Sequence, residues 1–234
     1  GEAIRADIAV LSTLATEQAY HALVPPFERA SGHTVATGFT GTVDVKKRIA
    51  AGEAFDLLIM AGGDIDAFLA AGVLAAGSRA DLASSGVGIA VRAGAAKPDI
   101  SSADAVKAAL ISARTIGYST GPSGNYVLGL FARLGIADAV KPKLRLAPTG
   151  AFVGSLIVSG EAEIGFQQMS ELSHFPGIDC IGPLPAEIQK ITTFACGVCA
   201  KAKAPDAARA LASALTAPGA AAVYRRHGLD PAHG

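Results

Sequence analysis

Short apolar runs alternate with longer segments of helical spacing along almost the whole chain. Apolar runs of five to eight residues are typical of strands, and apolar positions three or four residues apart are typical of helices. Strands are predicted at residues 4–11, 34–39, 55–61, 87–91, 115–118, 144–147, 164–167 and 191–200. Helices are predicted at residues 15–30, 43–51, 65–71, 103–112, 125–134, 152–159, 206–216 and 219–226. This alternation indicates an α/β fold with parallel or mixed sheets.

The alternating pattern falls into two successive blocks that meet near Ser85. Each block is large enough to form its own hydrophobic core. We therefore predict two lobes, joined by the strands near residues 85–92 and 191–200. The first lobe is predicted to comprise residues 1–84 and 198–234, and the second residues 85–197.

Four strand-to-helix turns share a chemistry, because each offers hydroxyl groups and most offer glycine where a helix begins. They lie at residues 11–16, 39–42, 119–124 and 148–150. In a parallel sheet such turns all lie at the carboxyl ends of the strands, where ligands bind. Free N–H groups and helix dipoles at these turns favour an anion. Four ordinary helix caps would give the same pattern, and the turns alone leave both interpretations open.

The turn at residues 118–127, YSTGPSGNYV, gives the sharpest prediction. Pro122 lacks an N–H and fixes its own φ, so the following amides are expected to remain free. We predict that Ser123, Gly124 and Asn125 donate backbone N–H groups to an anion, and that Ser123 also donates its hydroxyl. Because Gly124 has no Cβ, a ligand is expected to approach the backbone closely there. On this hypothesis Gly124→Val blocks the ligand and leaves the fold largely intact.

Composition excludes some functions. The chain has 234 residues with 20 basic and 20 acidic side chains, so no basic excess is available for a nucleic-acid backbone. Its apolar runs are broken well short of a membrane span. It opens beside a strand with no charged-then-apolar leader, which fits either a removed secretory signal or a protein that never had one.

The cysteines are Cys180, Cys196 and Cys199. The spacing of the last two invites a redox or zinc interpretation. They fall within a predicted strand, where positions three apart face opposite sides, and no second pair completes a zinc site. We therefore predict buried free thiols, and neither a metal nor a cofactor.

Three segments at residues 27–32, 48–59 and 222–228 carry a resemblance to a known family. With them the chain resembles, almost end to end, the bacterial periplasmic molybdate-binding proteins and the wider group of type II solute-binding proteins of ABC importers. The resemblance implies two α/β lobes joined by crossing strands, with an oxyanion in a cleft between the lobes. Carried over by position, it implies ligand contacts from Ser12, Thr13, Gly41, Thr42, Pro122, Ser123, Gly124, Thr149 and Gly150.

Two departures from the family pattern bear on the ligand. Gln168 stands where the family usually has a tyrosine, and the serine-rich turn after the second strand is reduced to residues 40–42. We predict that Gln167 and Gln168, with Asn125 and Tyr126, suit a larger, shaped anion, and that Lys47 meets a carboxylate of that anion. The expected ligand is therefore an organic carboxylate or an oxyanion, with weak affinity for molybdate.

Two functions from different classes remain open. The first is a monomeric periplasmic receptor that captures a small anion for the membrane subunits of an ABC importer. The second is a cofactor-independent isomerase of a tricarboxylate, since sequences similar to this family include aconitate isomerases. Tyr126, Lys47 or Asp44 could supply its base, and the sequence does not select among them. A cytoplasmic location would weaken the transport hypothesis.

Overall fold

The fold was analysed in a computed structural model that describes residues 4–233. The strands are β1 Asp7–Ser12, β2 Thr34–Phe39, β3 Leu57–Ala61, β4 Ala80–Arg92, β5 Ile116–Tyr118, β6 Leu144–Leu146, β7 Ile164–Gln168, β8 Ile178–Pro183, β9 Ile191–Val198 and β10 Asp230–Pro231. The helices are α1 Glu17–Ser31, α2 Thr42–Ala50, α3 Gly62–Ala70, α4 Ala103–Ser112, α5 Pro122–Arg133, α6 Ala137–Val140, α7 Val153–Ser159, α8 Met169–Leu172, α9 Pro205–Thr216 and α10 Ala221–Arg226. The predicted α/β class is confirmed.

The chain forms two compact units, and strands β4 and β9 each run from one unit into the other. Unit 1 comprises residues 1–84 and 192–234, and unit 2 comprises residues 85–191. All ten strands are linked by pairing in one network, and the part of that network within each unit is called that unit's sheet. Each unit has its own hydrophobic clusters.

The sheet of unit 1 has the strand order β2-β1-β3-β9, and β10 pairs with the first part of β4. Strands β1, β2 and β3 are parallel, whereas β9 is antiparallel to β3. All five residues of β3 are buried. Leu57 and Ile59 pack into a cluster with α1 and α9, and Leu58 and Met60 pack on the opposite face with α2 and α3. A strand covered on both faces explains why this run is continuously apolar.

The sheet of unit 2 has the strand order β4-β7-β5-β6, and β8 pairs with β4 as well. Strands β5, β6 and β7 are parallel, and β4 is antiparallel to both β7 and β8. Ile164 and Phe166 of β7 pack against α4 and α5. The parallel strands place the turns that precede α5 and α7 at the same edge of this sheet.

The first long helix departs from expectation. Pro25 and Pro26 predict a kink or a break, yet α1 continues through both. Proline removes the hydrogen bonds to the carbonyls of His21 and Ala22. These two residues and both prolines are exposed, so water can reach the freed carbonyls. The predicted break is therefore wrong.

None of the described helices is both long enough and apolar enough to cross a membrane.

Candidate functional site

In unit 1 the turns that follow β1 and β2 lie side by side. Ser12 and Phe39 are register partners at the ends of the two parallel strands. The N–H of Thr40 donates to the carbonyl of Ser12 at 3.0 Å. The predicted residues Ser12, Thr13, Gly41 and Thr42 are thus brought to one edge of this sheet.

Ser12 and Thr13 already use their hydroxyl groups, and Thr13 also its N–H, in hydrogen bonds within the protein. The hydroxyl of Ser12 donates to the carbonyl of Thr13 at 2.8 Å, and Ser12 has no exposed surface. The N–H of Thr13 donates to the carbonyl of Ile59 at 3.0 Å, and its hydroxyl approaches the same oxygen at 3.5 Å. An anion could recruit these donors only by replacing existing bonds, so the role of Ser12 and Thr13 as ligand donors stays a prediction.

Helix α2 presents free donors at its N-terminus. Its N-cap is Gly41, and no side chain caps the helix. The first helical bond runs from the N–H of Val45 to the carbonyl of Gly41. Within residues 4–233 we find no partner for the N–H groups of Thr42, Val43 and Asp44, nor for the hydroxyl of Thr42, a residue only 7% exposed. These groups can bind an anion without losing any bond, as the dipole also favours.

Lys47 lies in the last turn of the same helix, at the end opposite Thr42. A separation of five residues is about 7.5 Å along the helix axis. Lys47 is exposed, whereas its neighbour Lys46 pairs with Asp64 of α3 at 2.9 Å. The structure therefore places Lys47 away from the free amides, and its contact with a carboxylate stays a prediction.

In unit 2 the corresponding feature is the N-terminus of α5. Its N-cap is Gly121, no side chain caps it, and Pro122 occupies the first turn. Among the described residues the N–H groups of Ser123 and Gly124 have no partner, and neither has the hydroxyl of Ser123, which is 2% exposed. Ser123 thus has two free donors for an anion, its N–H and its hydroxyl.

Asn125 differs from its two neighbours. Its N–H donates to the carbonyl of Gly121 at 3.1 Å, which is the first helical bond of α5. The prediction that this N–H is free for a ligand is wrong, because α5 begins at Pro122, three residues before the predicted start at residue 125. The exposed side chain of Asn125 is still available.

Gly124 is required for a reason that the sequence does not reveal. A Cβ at this position would lie 1.6 Å from the carbonyl oxygen of Ser119 and 2.5 Å from its carbonyl carbon. Both are backbone atoms, so the turn itself would have to move. The prediction that Gly124→Val leaves the fold largely intact is therefore wrong.

The turn before α7 lies next to the turn before α5. The N–H of Ala147 donates to the carbonyl of Tyr118 at 2.8 Å, and Gly150 adopts a positive φ of 84° that glycine tolerates. Buried Gln167 accepts a hydrogen bond from the N–H of Val153, the first residue of α7, at 2.9 Å. Thr149 and Gly150 are thus brought to the same sheet edge as Ser123, and Gln167 supports their turn.

Gln168 is fully engaged within unit 2. Its side chain caps α8 through a capping box with Glu171. With the amide oriented to satisfy its surroundings, its nitrogen donates to the carbonyls of Ser85 and Gly86 at 3.2 Å each. The side chain is 1% exposed. These hydrogen bonds, which link β7 to β4, give Gln168 a structural role. Its contact with a ligand stays a prediction.

The hydroxyl of Tyr126 also has hydrogen-bond partners within the protein. It donates to the carbonyl of Ile188 at 2.6 Å and accepts from the guanidinium of Arg133 at 2.8 Å. The same guanidinium stacks over the ring, 5.3 Å from its centroid. A phenol fixed in this way is a poor general base, because its proton already binds a carbonyl.

Sequence reasoning missed Thr16 as a candidate. It is the N-cap residue of α1, is 2% exposed, and has no side-chain capping bond. Within the described chain its hydroxyl has no hydrogen-bond partner. The signal was present, because Thr16 closes the hydroxyl-rich turn after β1.

Cys180, Cys196 and Cys199 are all free thiols; Cys196 and Cys199 are buried as predicted, whereas Cys180 is only partly buried. Cys196 and Cys199 pack into different clusters of unit 1, as expected for opposite faces of β9 and its end. Burial raises the pKa of each of these thiols to about 12. In residues 4–233 no group of three or more His, Cys, Asp or Glu side chains is arranged to hold a metal ion.

A thiol-labelling experiment tests the raised pKa values. We expect an aromatic disulfide reagent at pH 8 to leave Cys196 and Cys199 unmodified in the folded protein and to modify them after unfolding in urea. The fold holds these thiols neutral, whereas unfolded thiols ionise near pH 9. Their contribution to stability is therefore complete below about pH 9 and is lost as the pH rises toward 12. Rapid labelling of either thiol in the folded protein would contradict their burial.

The sequence model of one protein family, the bacterial extracellular solute-binding proteins, matches residues 8–230 of this chain. An aconitate isomerase of a Pseudomonas species is 37% identical over 215 residues, which is 89% of this chain and 82% of that protein.

Two solved structures illustrate the likeness of fold. The periplasmic molybdate-binding protein of Azotobacter vinelandii has a TM-score of 0.76 at 19% identity and covers 95% of this chain and 98% of its own. The sulfate-binding protein of Mycobacterium tuberculosis has a TM-score of 0.78 at 20% identity, with 97% and 87% covered. At these identities the two structures are evidence for the fold alone.

Proposed function

Because the chain belongs to the family of bacterial extracellular solute-binding proteins, we propose that it binds a small organic anion. Its fold is that of the type II periplasmic binding proteins. The family accounts for the binding of a solute, and the chemistry of the turns supports an anion.

The observation that carries the proposal is a pair of helix N-termini, one in each unit, with unused donors. In unit 1, α2 offers the N–H and hydroxyl of Thr42, and in unit 2, α5 offers those of Ser123. Neither hydroxyl has a protein partner among the described residues, so both are available to a ligand without the loss of an existing bond. Negative charge at a helix N-terminus is favoured by about 0.3–1 kcal/mol, and by up to about 2 kcal/mol in partly buried sites.

We further propose that the anion is a di- or tricarboxylate. The aconitate isomerase that is 37% identical acts on a tricarboxylate, which supports this class. Thr149, Gly150 and the side chain of Asn125 extend the polar edge of unit 2 beyond Ser123 and would suit an anion larger than molybdate. Molybdate and sulfate are tetrahedral oxyanions, and we propose that both bind weakly.

In the first form of this function the protein is a periplasmic, monomeric receptor that delivers the anion to the membrane subunits of an ABC importer. The family description supports an extracellular or periplasmic place of action. Such a receptor needs no catalytic group and no cofactor, only binding that is tight and reversible.

The second form is an isomerase, which the aconitate isomerase relative supports directly. Moving a proton along a tricarboxylate needs a base within hydrogen-bond reach of the carbon and donors that hold the carboxylates. Asp44 carries the last of the free amides of α2, and its carboxylate accepts a hydrogen bond from the hydroxyl of Thr40 at 3.0 Å. We propose Asp44 before Tyr126 or Lys47 as the base.

A ligand screen tests the class of anion. We expect citrate, tricarballylate and both aconitate isomers to raise the melting temperature, because a ligand that binds only the folded state stabilises by RT ln(1 + [L]/Kd). A ligand at one hundred times its Kd stabilises by about 2.7 kcal/mol. Calorimetry should rank the carboxylates above molybdate and sulfate. Tight molybdate binding with no response to any carboxylate would overturn the proposal.

An activity assay separates the two forms. The purified protein is incubated with cis-aconitate without added metal, and the vinyl proton of the trans isomer is followed by NMR. Conversion that is lost in Asp44→Asn supports the isomerase, whereas binding without conversion supports the receptor. Conversion that survives in Asp44→Asn would exclude that residue as the base.

The hydroxyl of Ser123 gives a sharper test of the contact. Ser123→Ala removes one donor to a charged acceptor, and we expect a loss of about 1–3 kcal/mol in binding, or roughly 5- to 150-fold in Kd. Thr42→Val should act similarly through unit 1. The control is Ser213→Ala on the exposed face of α9. Unchanged affinity in a folded Ser123→Ala protein would mean that the α5 turn is only a helix start.

A further inference from the structure

Unit 2 contains a cavity at the end of its sheet opposite the turns described above. The cavity has a volume of about 650 Å³ and lies where β7 begins and β4 ends. Ligand sites for small molecules usually have volumes of about 300–1,000 Å³. Because Gln168 ends β7 and Ile164 begins it, this cavity and the α5 turn lie at opposite ends of the same strands.

The inner surface of the cavity is apolar. Its floor includes Val91, Ile157 and Ile164, all of which belong to the buried core. One wall is the face of α4 that carries Ala105, Ala109 and Ser112, at helical spacing. Side chains this small leave space between α4 and the sheet that a leucine or phenylalanine would fill.

The rim carries cations that lack carboxylate partners. Within the described residues Arg92 donates only to the carbonyl of Val158, and no carboxylate pairs with Lys97. Arg114 also lines the rim, but its N–H and Nε both donate to Glu163, at 2.9 and 3.0 Å.

The remaining carboxylate of the rim, Asp99, accepts from the N–H of Ser101 at 2.9 Å, and hydrogen bonds from Ser101 lower its pKa. The rim therefore has three cations and two carboxylates, of which one pairs with a cation and the other is held in its own turn. The net charge of the rim is thus one positive, and Arg92 and Lys97 are its cations without a carboxylate partner among the described residues.

We propose that this cavity is a second binding site, which takes a monocarboxylate with an apolar body. The carboxylate binds Arg92 and Lys97 at the rim, and the apolar body lies on Val91, Ile157 and Ile164. An apolar floor with cations at its mouth is complementary to such an amphipathic anion. This site does not depend on the anion proposed for the strand-end turns.

The test is a titration of the isotopically labelled, full-length protein with octanoate, followed by the backbone amide resonances in NMR. We expect shifts concentrated on Ala105, Ala109 and Gly160, all of which line the cavity. 1-Octanol, which has the same chain without the charge, should bind at least tenfold more weakly. Equal binding of octanol, or shifts located elsewhere, would overturn the proposal.

Two kinds of variant complete the test. Ala109→Leu fills the cavity and should abolish the octanoate shifts, while Ala132→Leu on an exposed position of α5 should not affect them. The double variant Arg92→Gln/Lys97→Gln should weaken octanoate at least tenfold and leave octanol unchanged. If Ala109→Leu fails to fold, the double variant decides alone, and octanoate affinity that survives the loss of both cations refutes the site.

Discussion

Replacing Asp56 with alanine is expected to destabilise the protein by about 3–5 kcal/mol, because three backbone donors would lose a charged acceptor. Asp56 is 5% exposed. One carboxylate oxygen accepts from the N–H of Ala9 at 2.8 Å, and the other accepts from Lys203 and Ala204 at 2.9 and 3.1 Å. The side chain thus joins β1 to the start of α9. Domains are stable by only about 5–15 kcal/mol, so this loss is a large share.

Urea unfolding of matched variants measures the effect. Asp56→Asn keeps one acceptor oxygen and should cost less than Asp56→Ala. Asp230→Asn, at an exposed acidic position of the same unit, should change stability by no more than about 0.5 kcal/mol. If Asp56→Ala unfolds within about 1 kcal/mol of the native protein, the three hydrogen bonds do not hold α9 in place.

The second large effect is expected at Gly124. Gly124→Ala places a Cβ 1.6 Å from the carbonyl oxygen of Ser119, and backbone atoms have to move to make room. We expect a loss of about 2–4 kcal/mol, in the range of overpacking and backbone strain. The displaced turn should also lose the donors of Ser123, so ligand affinity should fall together with stability.

The same helix provides the control. Gly129 is exposed on α5, and apart from its chain neighbours and the nearby backbone of α5 no described atom lies within 4 Å of the position of its Cβ. Gly129→Ala should therefore stabilise the protein by about 0.5–1 kcal/mol, as alanine is the better helix former. Paired melting curves of the two variants decide the point. A folded Gly124→Ala protein with native stability would show that the turn adapts without cost.

The sequence predicted local structure well, because the spacing of apolar residues and the positions of glycine and proline are local properties. The predicted helix at residues 103–112 has the same limits as α4, and the strand at 34–39 has the same limits as β2. The full length of β4 was missed, because its middle reads Ser84-Ser85-Gly86 and looks like a loop. In the fold Ser84 pairs with Asp230 of β10, and the side-chain nitrogen of Gln168 donates to the carbonyls of Ser85 and Gly86. These partners are distant in sequence, so no local pattern records them.

The candidate site was less predictable, because a polar side chain can be used by the fold or by a ligand. The spacing of strands and helices correctly brings Ser123 and Thr149 to one edge of unit 2. It cannot tell that Gln168 donates to the carbonyls of Ser85 and Gly86 or that Tyr126 donates to Ile188, since those partners are distant in sequence. The resemblance motif shows the same limit, because Asp56 within it serves α9, almost 150 residues away.

The discontinuity of unit 1 has a consequence for the order in which the chain becomes native. Strand β3 pairs on one side with β9, and α1 packs against α9 and α10, so these partners leave the ribosome after the whole of unit 2. Unit 2 is continuous from residue 85 to residue 191 and can close while synthesis continues. The apolar faces of β3 and α1 then stay uncovered until β9, α9 and α10 have been synthesised. Until that point the nascent protein should remain a substrate for chaperones.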